Sequence, residues 1–193
     1  MSGGSLAVWK PGSTIRPTEF GRCLLQRCYT KPMIQIKAAT LNDLPFLQEM
    51  IWEALMASPG FVHELGVENV RQHEKEYWKR WRDHPDPAFI AVDEDTEQQK
   101  LGAIVLYSEQ DTPSGKEYRI GVAVKEGARG KGIGKLLIGR ALKFAKDEQA
   151  HKVNLYVDPN NIAAISLYKN MGFRIREEKD HEITMEVNLR QSA

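Results

Sequence analysis

Cysteine is scarce: Cys23 and Cys28 are the only two in 193 residues, and both fall in the first 32 positions. Two thiols outside the expected core make no disulfide framework, and no nearby His or Cys completes a zinc set. The sequence therefore predicts no metal and a reducing, cytoplasmic setting. Long apolar runs are missing too. Nothing approaches the ~20 residues of a membrane-crossing helix, so no spanning segment and no membrane partner are expected. Net charge is low, with 27 Lys and Arg against 26 Asp and Glu. Its distribution is uneven, because residues 1–32 carry Lys10, Arg16, Arg22, Arg27 and Lys31 against Glu19 alone. The remaining chain is slightly acidic, a poor footprint for a nucleic-acid binder.

What is present reads as one globular domain, with 41% hydrophobic and 27% charged residues. Residues 1–32 contain Gly-Gly, three prolines and no sustained periodicity, and are expected to be a disordered N-terminal extension, with the domain running over 33–193. A targeting segment is the alternative reading, since transit peptides are basic and poor in acid.

Within the domain, residues 33–38 alternate as a strand. Asn42 or Asp43 then caps a helix with Pro45 in its first turn and Leu44, Leu47, Met50, Ile51, Ala54 and Leu55 on one face. A charged second helix over 67–81 carries Val70, Tyr77, Trp78 and Trp81 as its apolar stripe. His84-Pro85 and Asp86-Pro87 close it. Strands follow over 89–93, 101–108 and 117–125, then a helix over 133–149, a strand over 153–157, a helix over 161–171, and closing strands over 173–177 and 183–189. This order predicts an α/β (α+β) domain with a mixed sheet flanked by helices.

The sharpest local feature is Arg129-Gly130-Lys131-Gly132-Ile133-Gly134-Lys135, set between a strand and a strong helix. Successive glycines let backbone N–H groups turn toward one point. The free amides and positive end of the helix then favour an anion such as a phosphate. The dinucleotide pattern fails because Lys135 stands where glycine is required. The P-loop pattern fails because Ile133 and Gly134 replace the Lys and Ser/Thr. Alone, such a turn is equally readable as a structural loop.

A second block follows about 25 residues later, Asn161-Ile162-Ala163-Ala164-Ile165-Ser166-Leu167-Tyr168-Lys169-Asn170-Met171-Gly172-Phe173. Together with Val122-Ala123-Val124 and Arg129-x-x-Gly132-x-Gly134, it closely resembles the GCN5-related N-acetyltransferase (GNAT) superfamily. The order of elements from Met33 onward is similar as well, so the resemblance spans about 160 residues.

The resemblance implies a mostly antiparallel central sheet of six to seven strands with about four helices, splayed between the strands ending near Val124 and Val157. Acetyl-CoA would lie in the gap as co-substrate. Its pantetheine arm would run along Val122, Ala123 and Val124, and its pyrophosphate would sit on the amides of Arg129, Gly130, Lys131, Gly132, Ile133, Gly134 and Lys135. Asn161 and Ala164 would hold the arm from the following helix, and Asn161 also reads as an ordinary N-cap. Tyr168 is the candidate general acid for the leaving thiolate, against the plainer reading of a packed ring. Many relatives carry a carboxylate five positions before the valine matching Val124; here Arg119 stands there. Glu117, on the same side of the strand, is the candidate base, direct or through water, against the plainer reading of a solvated strand end. His63 is a weaker alternative. Arg119 itself could attract an acidic part of the substrate.

The activity so implied is N-acetyl transfer to a small-molecule or peptide primary amine, by direct attack through a tetrahedral intermediate. A non-catalytic acyl-CoA-binding domain and an enzyme acting on protein N-termini or lysines are the competing readings. A homodimer is implied by the resemblance alone.

Overall fold

The computed structural model describes residues 33–57, 62, 66–96, 99–112 and 115–189. The proposed extension 1–32, both cysteines and His63 lie outside them.

Strand β1 (Ile34–Ala38) leads to a single 3-10 turn (Leu41–Asp43) and helix α1 (Leu44–Met56). Thr40 and Asp43 shape the entry. The Asp43 carboxylate accepts from the Thr40 backbone N–H and hydroxyl, both at 2.8 Å, and pairs with Lys100 at 2.6 Å. Pro45 then sits in the first turn, where its missing N–H costs nothing.

Helix α2 (Val67–Asp83) buries Val70, Trp78 and Trp81. Trp81 Nε1 donates to the Asp86 carbonyl at 3.0 Å, tying the helix end to the turn beyond it. The two tryptophans therefore serve the core, as their spacing predicts.

Strands β2 (Ala88–Asp93), β3 (Gln99–Thr112) and β4 (Gly115–Val124) run antiparallel. A 3-10 turn (Glu126–Ala128) and helix α3 (Ile133–Asp147) lead to β5 (Lys152–Val157). Helix α4 (Ile162–Asn170), β6 (Arg174–Lys179) and β7 (Glu182–Asn188) complete the described chain.

The seven strands form one sheet in the order β1-β2-β3-β4-β5-β7-β6. Every neighbouring pair is antiparallel except β4 and β5. Alternation of side chains gives the sheet two apolar faces. Phe46, Leu47, Met50, Ile51, Trp78 and Trp81 pack on one, against Ile90, Ala103 and Val105. Ile133, Leu137, Ile138, Ala141, Ile165 and Tyr168 pack on the other, against Ile104, Tyr118, Ile120, Val153 and Leu155. Among the described residues the fold is thus a mixed, mostly antiparallel seven-stranded sheet with four helices, within the six to seven strands and about four helices that the resemblance implies.

The sheet is not closed throughout. β4 and β5 pair only over Glu117–Arg119 with Lys152–Asn154. From Ile120 to Val124 on one side, and Leu155 to Val157 on the other, no pairing joins the two strands. A parallel pair that stops after three rungs leaves backbone groups free to pair with something else.

Candidate active site

The gap between β4 and β5 is edged by backbone. The Lys125 N–H donates to the Leu101 carbonyl of β3 at 2.9 Å, so antiparallel alternation turns residues 123 and 121 toward β3 as well. Val122 and Val124 then present their N–H and C=O groups to the gap. One of these is already used: Arg129 Nε donates to the Val124 carbonyl at 3.0 Å, folding the glycine loop back over the strand end. The side chains of Val122 and Val124 pack toward α3 and α4, whereas Ala123 packs toward α1 and α2.

Beyond Val124 the chain turns over Gly130 (φ +76°) and Gly132 (φ +81°), both left-handed. Neither has an atom within 4 Å of where a Cβ would stand, so conformation and not crowding selects glycine. Gly132 is the N-cap of α3, and its carbonyl accepts from the Leu136 N–H at 3.2 Å. The amides of Ile133, Gly134 and Lys135 therefore begin the helix with no i−4 partner, at the end of the helix whose dipole favours negative charge. Arg129, Lys131 and Lys135 are exposed around it.

Gly134 stands close to α4. An added Cβ there would stand 3.0 Å from Leu167 Cδ2 and 4.0 Å from Val124 Cγ2. Its missing side chain lets α4 approach α3. Gly134→Val is expected to push α4, and Tyr168 with it, away from the gap, lowering thermal stability together with cofactor affinity. A melting scan beside calorimetry checks this.

Asn161 caps α4, its Oδ1 accepting from the Ala164 N–H at 3.1 Å. Asn161→Ala should cost about 1 kcal/mol of stability, read from denaturant melts. Asn161 also lines a cleft of about 330 Å³ with Ala57, Asp158 and Asn160, between the end of α1 and the end of β5.

Tyr168 is buried on α4, its ring 5.9 Å from that of Phe173. Burial pushes its phenol up to about 12. It is therefore a donor and never a phenolate at physiological pH. The ring packs, as the plainer reading holds, and the hydroxyl still lacks a protein hydrogen-bond partner among the described residues.

Glu117 requires a correction. Expected as a base or a solvated strand end, it is only 5% exposed. Its carboxylate pairs with Lys152 Nζ at 2.8 Å and His151 Nε2 at 3.1 Å. It lies on the closed side of the last paired rungs, so the structure does not bring it together with Val122, the glycine loop and Tyr168. Glu117→Gln should cost on the order of 3 kcal/mol of stability by leaving Lys152 with only the more distant Glu186. A urea melt measures this, and the folded fraction should retain its acetyl-CoA affinity.

Sequence reasoning missed a polar cluster on the α1 and α2 side of the same rungs. Tyr107, Arg119 and Asn154 stand in register across β3, β4 and β5. The Arg119 guanidinium lies 5.7 Å from the Tyr107 ring centroid and 5.5 Å from that of Tyr156. Its Nη1 is 3.7 Å from Glu109 Oε1. Asn154 Nδ2 donates to Glu109 Oε2 at 2.9 Å, while Asn154 Oδ1 is buried with no partner. Arg119 alone is singled out in the sequence; only strand register brings Tyr107, Glu109 and Asn154 to it.

The open parallel edge, the glycine-capped helix start and Tyr168 lie on the segments whose motifs carry the sequence resemblance. Residues 47–173 match the model of the acetyltransferase (GNAT) family. The chain belongs to that family. Mycothiol acetyltransferase of Beutenbergia cavernae is 31% identical over 130 residues, covering 65% of this chain and 41% of that protein. The chain thus spans well under half the length of that relative. GCN5-related N-acetyltransferase 4 of Arabidopsis thaliana, a chloroplastic protein, is 44% identical over 61 residues, covering 32% of this chain and 21% of its own length.

Among solved structures, the Salmonella typhimurium protein YncA with its cofactor acetyl-CoA superposes with a TM-score of 0.64 at 16% identity, covering 83% of this chain and 96% of that one. Ribosomal-protein-alanine N-acetyltransferase of Brucella melitensis gives 0.60 at 22% identity, covering 80% and 99%. These likenesses establish the GNAT fold. Among the described residues, no helix of this GNAT chain is long and apolar enough to cross a membrane, and no group of three or more potential metal ligands occurs.

Proposed function

We propose that this GNAT domain transfers the acetyl group of acetyl-CoA to a primary amine. The observation that carries the reading is the three-rung β4–β5 pairing, which leaves the Val122–Val124 edge open beside the unpartnered amides of the α3 start. The pantetheine arm, which carries two amide groups, suits that edge as a substitute strand. The pyrophosphate suits the amides of Ile133, Gly134 and Lys135, with Arg129, Lys131 and Lys135 adding charge and Gly130 and Gly132 shaping the loop. Asn161 and Ala164, at the start of α4, border the same arm.

In this reading the amine enters from the α1 and α2 face. Its nitrogen lone pair forms the new bond to the thioester carbonyl carbon, through a tetrahedral intermediate. The carbon–sulfur bond then breaks and the pair leaves on sulfur. Tyr168 belongs to the opposite face and donates a hydrogen bond to that sulfur. With the phenol at about 12 and the free thiol at ~8.5, the Tyr168 hydroxyl steadies the departing thiolate chiefly by a hydrogen bond, and the thiolate takes its proton from solvent. The nitrogen loses its extra proton to solvent, since Glu117 is closed into its ion pair.

A specific observation keeps a second reading open. Arg119 stands where many relatives carry a carboxylate, which suits an acyl-CoA-binding domain without turnover. Release of free thiol from acetyl-CoA separates the two. Spermidine, glucosamine, an alanine-initiated peptide and a lysine-containing peptide form a suitable panel. Release with one small amine supports small-molecule acetylation, and release only with peptides supports a protein acceptor. Binding without release from any of them supports the non-catalytic reading.

A further inference from the structure

Asn154 is 5% exposed, and its two amide atoms have different fates. Nδ2 donates to Glu109 Oε2 at 2.9 Å, an arrangement only the amide nitrogen can make with a carboxylate. That contact fixes the other end as oxygen, and Oδ1 has no partner. A buried carbonyl oxygen without a donor is costly, so its retention calls for a function.

Its position suggests one. Asn154 pairs with Arg119 on the last rung before β4 and β5 separate, at the inner end of the gap. Along β5, Val153 and Leu155 belong to the core shared with Tyr168, so Asn154 points to the opposite side, toward α1 and α2. Nearby, Gly121 carries no side chain, and a Cβ there would lie 3.2 Å from Tyr107 Cε2 and 3.3 Å from Ile51 Cδ1. The last rung before the gap is thus flanked by Tyr107 and Ile51 on the α1 and α2 side, with the unpartnered Asn154 Oδ1 beside it.

We infer that Asn154 Oδ1 receives an N–H of the acceptor amine and fixes the nitrogen for attack, an assignment that rests on the acetyl-transfer reading above. Glu109 is the positioning residue that holds Nδ2 and so leaves Oδ1 as the end of the amide without a donor. An uncharged carbonyl suits this task at a site where Arg119 replaces a carboxylate. It accepts from an amine or an ammonium and, unlike a carboxylate, does not hold the extra proton on nitrogen by charge.

The test compares wild type, Asn154→Ala and Glu109→Ala in the thiol-release assay, using whichever panel amine the wild type acetylates fastest. Acetyl-CoA affinity is measured in parallel by calorimetry. The expected result for Asn154→Ala is a KM for the amine raised about tenfold, as for one lost hydrogen bond, with acetyl-CoA affinity unchanged within experimental error. Glu109→Ala, which frees the amide to rotate, should raise the same KM by a smaller factor, and it carries the test if Asn154→Ala does not fold. An unchanged amine KM in the variant that folds overturns the assignment and leaves Oδ1 to water. No thiol release from wild type with any amine defeats the acetyl-transfer reading and this one with it, so the two failures are distinguishable.

Discussion

Tyr168→Phe is expected to lower turnover about 100-fold, within the span usual for loss of a positioned general acid, while acetyl-CoA affinity and thermal stability stay near wild type. The separation follows from what the substitution removes. Phenylalanine keeps the ring that packs 5.9 Å from Phe173 in the α3–α4 core. It deletes only the hydroxyl, which makes no hydrogen bond to the protein among the described residues. Because burial raises the phenol to about 12, the wild-type donor is fully protonated across the working pH range. Any alkaline fall in wild-type rate below pH 10 must then come from another group. A pH series of thiol release for the two proteins measures this. Equal rates at every pH would return Tyr168 to a packing role.

Gly132→Val should weaken acetyl-CoA binding at least about tenfold. The left-handed conformation at φ +81° costs a non-glycine residue roughly 1–2 kcal/mol, and a β-branched side chain more. The N-cap either holds that strain or relaxes and turns the Ile133, Gly134 and Lys135 amides away from one another, and 1.4 kcal/mol is a factor of ten in affinity. Space is not the issue, since nothing lies within 4 Å of the added Cβ. Lys131→Ala, which removes an exposed charge and leaves the backbone in place, should change affinity much less. Calorimetry on both variants separates backbone from side chain. Greater loss with Lys131→Ala would make the loop a charge patch instead of an amide cradle.

The contrast between these residues shows what a sequence exposes. The glycine loop and the Asn161–Phe173 segment were legible because their conformation depends on neighbours along the chain: left-handed turns, a helix start, a cap three residues before the amide it satisfies. Helices α1 to α4 were legible for the same reason, through periodicity and caps. Gly134 was legible as a required glycine but not for its cause, because Leu167 lies 33 positions away. Glu117 was misread for a related reason. Alternation correctly placed it on the Arg119 side of β4, but its partners His151 and Lys152 arrive from β5 only after α3 has crossed back over the sheet. The Glu109–Asn154 contact joins residues 45 apart through strand register. Local pattern reports none of these pairings, because each is made only when distant strands and helices come together.

Acetyl-CoA is proposed to occupy the opening between β4 and β5 and to give up its acetyl group to an amine there. The most direct measurement is calorimetric titration of the protein with acetyl-CoA, followed in the same sample by free-thiol release on adding the amine panel. Saturable binding, with thiol release on one amine, is the result this account predicts. Failure to bind acetyl-CoA would contradict it, whatever the sheet and the glycine loop resemble.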